Sequence, residues 1–111
     1  MNVKIIPSVE FNRQFKRLAK KYKSLPTDYL SFSKELKDNP FIGSDLGSGI
    51  RKIRLAIASK GKGKSGGARV LTLTVLVSED AEVTLLTIYD KNEIENVSDE
   101  YIRWLIDEAK K

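Results

Sequence analysis

The sequence contains neither cysteine nor histidine, and these two absences exclude several classes of site. Without cysteine there can be no disulfide framework, thiol nucleophile, zinc knuckle or iron–sulfur cluster. Without histidine, the chain lacks the side chain that most often acts as general acid or base near neutral pH and most often ligates metals. Any chemistry must use lysine, arginine, tyrosine, hydroxyl or carboxylate groups, and we expect no metal and no other cofactor.

Long apolar runs are missing as well. Stretches such as residues 75–77 are only a few residues long, whereas a helix that crosses a bilayer needs about 20 apolar residues. We therefore expect no membrane insertion, and the absence of cysteine favours a reducing, cytoplasmic location. The 111 residues, 41% hydrophobic and 32% charged, are typical of one folded domain spanning residues 1–111.

Acidic residues are scarce in the first two thirds of the chain. Residues 1–77 contain 16 Lys/Arg and 5 Asp/Glu, a net charge of +11, whereas residues 78–111 contain 4 and 10, a net charge of −6. Such a separation favours a basic face that binds a polyanion, because phosphate attraction dominates sequence-independent nucleic-acid binding. The alternative is a solvated surface on which lysine serves solubility.

The first half of the sequence predicts a strand and two helices. A short apolar segment at 3–6 is stopped by Pro7, and Ser8 is placed to cap an amphipathic helix whose outer faces are strongly basic. Residues 25–28 predict a break, after which a second helix ends before Pro40. The two helices are expected to form a hairpin, followed by an irregular connection over residues 39–49.

The second half predicts three strands and a final helix. Alternation begins at Ile50, so Ile53 and Leu55 are expected on one face of a strand and Lys52 and Arg54 on the other. Further strands are expected over 68–77 and 82–89 as an antiparallel meander. Ser98 is placed to cap the last helix. The expected fold class is therefore α+β, an antiparallel sheet with an N-terminal helical hairpin and a C-terminal helix in the order β-α-α-β-β-β-α.

Glycine and lysine alternate in the loop between the first two of these strands, residues 59–67. The fragment 63–65 does not complete a nucleotide-binding phosphate loop, because position 58 is Ala58 and a strand follows the loop. The loop is better interpreted as a tether that presents lysines to phosphates. Together with the basic helix, the loop supplies six candidate phosphate-binding lysines: Lys60, Lys62, Lys64, Lys16, Lys20 and Lys23.

Arg69 has the most informative position in the sequence. It starts a strand whose residues on the same face are apolar, so its planar guanidinium lies at the edge of an apolar surface, where it could hold a phosphate through two hydrogen bonds. Two structural alternatives remain open. The side chain could extend over the apolar surface with its charge in water, or it could pair with an acid such as Asp90.

Three segments, residues 52–55, 62–70 and 85–93, resemble the HigB-like branch of the RelE/ParE superfamily of toxins from type II toxin–antitoxin systems. The helical hairpin and the element order agree with that family, and the resemblance covers nearly the whole chain. The chain departs from the family at two positions. Relatives tend to carry an aromatic residue at the position of Ala68, and Asn92 replaces a possible arginine after the last strand. Tyr101 is a candidate for the family's base-stacking tyrosine.

The resemblance implies a metal-independent, ribosome-dependent endoribonuclease that cleaves messenger RNA and inhibits translation. It also implies a cognate antitoxin, expected to be a helix-turn-helix DNA-binding protein, and a toxin–antitoxin hetero-oligomer. The residues that match the family's basic positions are Lys52, Arg54, Arg69 and Lys91. With this function, the six candidate phosphate-binding lysines of the loop and the first helix are predicted to bind RNA.

Attack of a ribose 2′-hydroxyl on the adjacent phosphate requires a proton acceptor, stabilisation of the phosphorane oxygens and a donor for the leaving 5′-oxygen. Arg69 suits the stabilising role and Lys52, beside Arg54, is a candidate acceptor. Lys91 and Tyr89 are both candidate donors. The alternative functions are a ParE-like gyrase inhibitor, a non-catalytic RNA-binding module and a structural subunit for a DNA-binding partner.

Overall fold

The computed structural model describes residues 1–61 and 66–111. Its elements are, in chain order, β1 (Val3–Pro7), α1 (Val9–Lys21), α2 (Leu25–Asp38), β2 (Ser44–Gly47), β3 (Ile50–Leu55), a short 3-10 helix (Ala58–Lys60), β4 (Ala68–Val77), β5 (Asp80–Asp90) and α3 (Asp99–Ala109). The predicted α+β class and the predicted order of helices and long strands are confirmed.

The strands form one five-stranded sheet in the order β1-β5-β4-β3-β2. β3, β4 and β5 form the expected antiparallel meander, but β1 pairs with β5 in parallel, so the whole sheet is mixed. Pro7 is tolerated because β1 is an edge strand, where a missing backbone donor breaks no central ladder. The parallel pairing places the start of α1 directly over β5.

Capping explains where the helices begin. Ser8 Oγ accepts a hydrogen bond from the backbone N–H of Phe11 at 3.0 Å, and Ser98 Oγ accepts one from the N–H of Tyr101 at 3.1 Å, as expected for N-cap serines. The predicted break at residues 25–28 is wrong, since α2 begins at Leu25 and includes Pro26 in its first turn. Proline is compatible with that position because the first N–H groups of a helix lack intrahelical partners.

The connection expected to be irregular contains β2, which pairs with β3 in a hairpin. All four residues of β2 are exposed, so the sequence shows none of the alternation that marks a half-buried strand. Gly43 approaches β3 so closely that a Cβ atom there would lie 2.5 Å from the carbonyl oxygen of Lys52, and its φ is +91°. Glycine is therefore required where the chain enters β2.

The sheet separates two cores of unequal size. On one face, α1 and α2 bury a large cluster whose fully enclosed members include Leu18, Leu25, Leu36 and Leu85. On the other face, α3 covers a smaller cluster made by Leu71, Leu86, Tyr89 and Leu105. The smaller helical cover leaves part of the second face available for polar side chains.

Candidate nucleic-acid site

Three of the predicted catalytic residues form one row across the sheet. Arg54 of β3 is paired with Arg69 of β4, and Arg69 is paired with Tyr89 of β5. Residues directly opposite each other on neighbouring strands project to the same face. Tyr89 belongs to the cluster under α3, so the row lies on the α3 face. We call Arg54, Arg69 and Tyr89 the cross-strand row.

Lys52 lies on the same face as Arg54, two residues earlier in β3, and is half-buried opposite Leu71. The predicted face of β3, with Lys52 and Arg54 together and Ile53 and Leu55 in the opposite core, is therefore confirmed. Lys91 is exposed just after β5, and its backbone N–H donates to the carbonyl of Gly67 at 3.3 Å. All five predicted catalytic residues thus lie towards the same end of β3, β4 and β5.

Burial increases along the row from Arg54 to Tyr89. Arg54 is exposed, whereas Arg69 is 7% exposed and Tyr89 is 3% exposed. Burial, followed by the charge of Arg54, lowers the pKa of Arg69. Its Nη1 donates to the carbonyl of Ala68 at 3.1 Å. Because like charges directly opposite on a sheet destabilise it, an anion bound between Arg54 and Arg69 would be stabilising.

The hydroxyl of Tyr89 is buried and has no hydrogen-bond partner among the residues that the structure describes. Burial raises the pKa of Tyr89, and the nearby charge of Arg69 offsets part of that rise. The group therefore stays protonated at neutral pH. An unpaired buried hydroxyl is unfavourable, and here it lies on the strand position directly opposite the arginine Arg69.

Asp90 follows Tyr89 and points to the opposite face, where it is fully buried. Its carboxylate accepts hydrogen bonds from Lys60 Nζ at 2.7 Å, from the backbone N–H of Asn92 at 2.9 Å and from the hydroxyl of Tyr22. Burial raises the pKa of Asp90, but these donors outweigh burial and lower it to about 2. Asp90 therefore joins α1, the 3-10 helix and the end of β5.

This arrangement corrects two predictions. Lys60 was expected to bind RNA, but its side chain is 5% exposed and ion-paired with Asp90, so it stabilises the fold at the site edge. Asp90 was the suggested partner of Arg69, but the two side chains lie on opposite faces of the sheet, Asp90 beside Lys60 and Lys21. The sequence did contain a signal for the structural role of Asp90, which is a single acid at the end of an apolar strand, between Tyr89 and Lys91.

The helix lysines are all available to a ligand. Lys16, Lys20 and Lys23 are exposed along and just after α1. The C-terminal end of this helix lies near the end of β5, as the ion pair between Arg17 and Glu93 shows. Lys62 and Lys64 lie outside the described residues, so their predicted RNA contacts stay predictions.

Tyr101, the candidate base-stacking tyrosine, pairs on α3 with Trp104, which the sequence patterns did not indicate. Their rings stack with centroids 5.9 Å apart, and Trp104 is 43% exposed. The hydroxyl of Tyr101 lies 3.3 Å from both Thr87 Oγ1 and a carboxylate oxygen of Glu10. Tyr101 is therefore occupied in joining α3 to α1 and β5, and Trp104 is the more accessible of the two rings.

The geometry agrees with what the comparisons with known proteins found. Residues 9–111 match the family model described as RelE toxin of the RelE / RelB toxin–antitoxin system. The chain belongs to the RelE toxin family. Membership confirms the predicted superfamily and the toxin–antitoxin class, and it implies an antitoxin partner, while the HigB-like branch stays a prediction.

A solved structure of the Escherichia coli toxin RelE, a double arginine-to-alanine mutant in the free state, has the same fold. Its TM-score is 0.55 at 15% sequence identity, over 98% of this RelE-family chain and 95% of the other chain. At this identity the likeness concerns the fold alone. No helix in the described part of the chain is long and apolar enough to cross a lipid bilayer.

Proposed function

We propose that this chain is a ribosome-dependent endoribonuclease that cleaves messenger RNA, inhibits translation and is neutralised by an antitoxin. The observation that carries the proposal is the cross-strand row, in which two guanidinium groups and a protonated phenol share one face of the sheet. The row supplies the two functions that RNA cleavage needs most, charge stabilisation and proton donation.

In the proposed reaction the ribose 2′-oxygen attacks the adjacent phosphorus and loses its proton, and the bond to the 5′-oxygen breaks as that oxygen gains a proton. Arg69 holds two phosphorane oxygens through its planar fork. Lys52, on the same face, is the proposed proton acceptor, a role that its side chain can fill only as the neutral amine. Tyr89 is the proposed donor to the 5′-oxygen, with Lys91 as the alternative donor.

The burial gradient indicates the order in which RNA meets these groups. Arg54 is exposed and contacts a phosphate first, whereas Arg69 and Tyr89 are nearly covered in the free chain. Full contact with substrate therefore requires a local opening at the row. Such a requirement fits an enzyme that acts after docking on a larger particle, since docking free energy can favour the open state.

The exposed lysines of α1 are the proposed docking surface. Lys16, Lys20 and Lys23 supply phosphate contacts without taking part in the chemical step, and Lys62 and Lys64 are proposed to act with them. The same lysines also support the second candidate function, a non-catalytic RNA-binding module. A gyrase inhibitor requires no cluster of phosphate-binding groups, so the cross-strand row disfavours it.

The test compares three substrates for the purified chain: ribosomes programmed with a defined message, the same message without ribosomes, and supercoiled DNA with gyrase. Primer extension is expected to show breaks within the reading frame only when ribosomes are present. Equal cleavage of the naked message would contradict ribosome dependence. Binding without cleavage would favour the RNA-binding module, and inhibition of gyrase with intact RNA would favour the gyrase inhibitor.

A further inference from the structure

The edges of the sheet differ in how well they are protected against pairing with another chain. The outer edge of β1 carries Lys4 and ends at Pro7. The outer strand β2 is four residues long, carries Asp45 and has an irregular register between Asp45 and Gly47. Charges, proline, bulges and short length are the usual devices that prevent edge-to-edge association.

A third edge is exposed because β4 is longer than β3. The pairing of β3 with β4 ends at Ile50 opposite Leu73, and the last bond across this boundary runs from Thr74 N to the carbonyl of Gly49 at 2.9 Å. The following residues, Val75–Val77, pair with β5 on one side only. We call these three residues the free segment of β4.

The backbone direction in the free segment follows from alternation along the strand. Thr74 N–H points towards β3, so the N–H and C=O of Leu76, two residues later, point to the same, unoccupied side. The pairing with β5 gives the same direction. Ala81 lies opposite Leu76, and the N–H of Ala81 points away from β4 and donates to the carbonyl of Asn2 at 2.9 Å, so the two residues make no backbone hydrogen bond to each other. Within the described residues, no strand receives the backbone groups of Leu76 on that side.

The side chains of the free segment are apolar and accessible. Val75 is 48% exposed, Leu76 58% and Val77 48%. Three consecutive exposed residues of high β-propensity beside unpaired backbone groups form a template for a further strand. None of the protective devices seen at β1 and β2 occurs within these three residues.

We propose that the free segment of β4 binds one extended segment of the antitoxin, which adds a strand beside Leu76 and packs alternate apolar side chains against Val75 and Val77. The charge of the adjoining turn specifies the partner further. Glu79 and Asp80 are both exposed in the turn that follows Val77, so the added segment is expected to carry lysine or arginine beside its apolar residues. An RNA partner is disfavoured by the same acids.

This surface lies far from the cross-strand row. Leu76 follows Arg69 by seven residues in one strand, which corresponds to roughly 23 Å at about 3.3 Å per residue. A segment bound there anchors the antitoxin without covering Arg69. The proposal concerns the antitoxin implied by family membership and does not depend on whether the chain cleaves RNA.

The test uses the antitoxin of the same toxin–antitoxin pair as the probe, and two variants that separate backbone pairing from apolar contact. Leu76→Pro removes the outward N–H but keeps an apolar side chain, and it should fold because that N–H makes no bond to β5. Leu76→Thr keeps the N–H and the β-propensity but removes apolar surface. Thermal melts establish that both variants are folded, and hydrogen exchange reports on the Leu76 amide in the wild-type chain.

The expected result is that the Leu76 amide exchanges fast in the free chain and slowly in the complex. Leu76→Pro should weaken antitoxin binding by about tenfold or more, since it removes a hydrogen bond and obstructs the added strand, and Leu76→Thr should weaken it by only a few fold. Unchanged affinity for both variants, or fast exchange at Leu76 in the complex, would overturn the proposal. So would a dimer of the chain alone that Leu76→Pro dissociates, because the occupant would then be a second copy.

Discussion

The two faces of the sheet are built for different purposes. The α1/α2 face is closed by a large apolar cluster and by aromatic contacts such as Phe15 against Tyr29, with ring centroids 5.5 Å apart. The α3 face has a smaller cluster and carries the cross-strand row, including a buried hydroxyl without a partner among the described residues. Stability is concentrated on the first face, and unfavourable but chemically useful groups on the second.

The comparison shows how one small domain accommodates a destabilised site. The placement of Arg54 opposite Arg69 costs free energy of folding, and so does the buried hydroxyl of Tyr89, which has no partner among the residues that the structure describes. The large cluster of the α1/α2 face, together with the buried ion pair of Lys60 and Asp90, can offset that cost. If the two faces are divided in this way, substitutions on the α1/α2 face should mainly lower stability, and substitutions in the cross-strand row should mainly lower the cleavage rate.

The largest effect on stability is expected from Leu36→Ala on the α1/α2 face. Leu36 is fully buried, and truncation of a buried leucine costs about 2–5 kcal/mol of unfolding free energy. Chemical denaturation should show this loss, while the cleavage rate of the folded fraction stays at the wild-type value. Leu105→Ala is the matched control in the smaller cluster under α3, and an equal loss of stability there would argue against the division between faces.

The next largest effect is expected from Tyr89→Phe, which removes one oxygen atom. Because the hydroxyl is buried without a described partner, its removal should leave the melting temperature unchanged or slightly higher. Loss of a proton donor should slow single-turnover cleavage by about 100-fold or more. A clear drop in melting temperature would show that the hydroxyl has a structural partner, and an unchanged rate would transfer the donor role to Lys91.

A smaller effect concerns acid stability and Asp90. Its pKa is about 2 in the folded chain against an ordinary value of 3.8, so its contribution to stability is present above pH 4 and is lost as the pH falls from about 4 to about 2. The shift corresponds to about 2 kcal/mol. The difference in unfolding free energy between the wild type and Asp90→Asn should therefore shrink over this pH range, and a constant difference would contradict the assignment.

The smallest effect is expected from the exposed lysines of α1. Replacing Lys16, Lys20 and Lys23 with alanine should weaken ribosome binding by a few fold at moderate salt, and should reduce the slope of log affinity against log salt by about 2. The control replaces Lys34 and Lys37, which are exposed on α2, and the two variants are compared by the effect per charge removed. An equal effect per charge in both sets would show that net charge matters and that α1 is no specific docking surface.

Much of the fold could be predicted because its long elements have clear periods. β4 was predicted with its observed bounds, and the serines at positions 8 and 98 cap α1 and α3 as expected. β2 could not be predicted, since its four exposed residues follow no pattern. The parallel pairing of β1 with β5 is a long-range contact that local periodicity cannot indicate.

Only the part of the candidate site that depends on periodicity within one strand could be predicted. Alternation along β3 placed Lys52 and Arg54 on one face, but only the register between strands aligns Arg54 with Arg69 and Tyr89. Lys60 was assigned to RNA because a lysine in a glycine-rich loop is usually solvated. Its ion pair depends on Asp90, which is 30 residues away in the sequence.

The most direct test of the central claim is the single-turnover rate at which Arg69→Ala cleaves a message bound to the ribosome, measured at saturating protein. Loss of one preorganised charged donor is expected to slow the chemical step by about 100- to 1000-fold, with ribosome binding and the thermal melt close to those of the wild type. The cleavage rate of Arg69→Lys should fall between those of the wild type and Arg69→Ala, because lysine keeps the charge and loses the bidentate fork. A folded Arg69→Ala variant that binds ribosomes and cleaves at the wild-type rate would contradict the claim that the cross-strand row is the catalytic site.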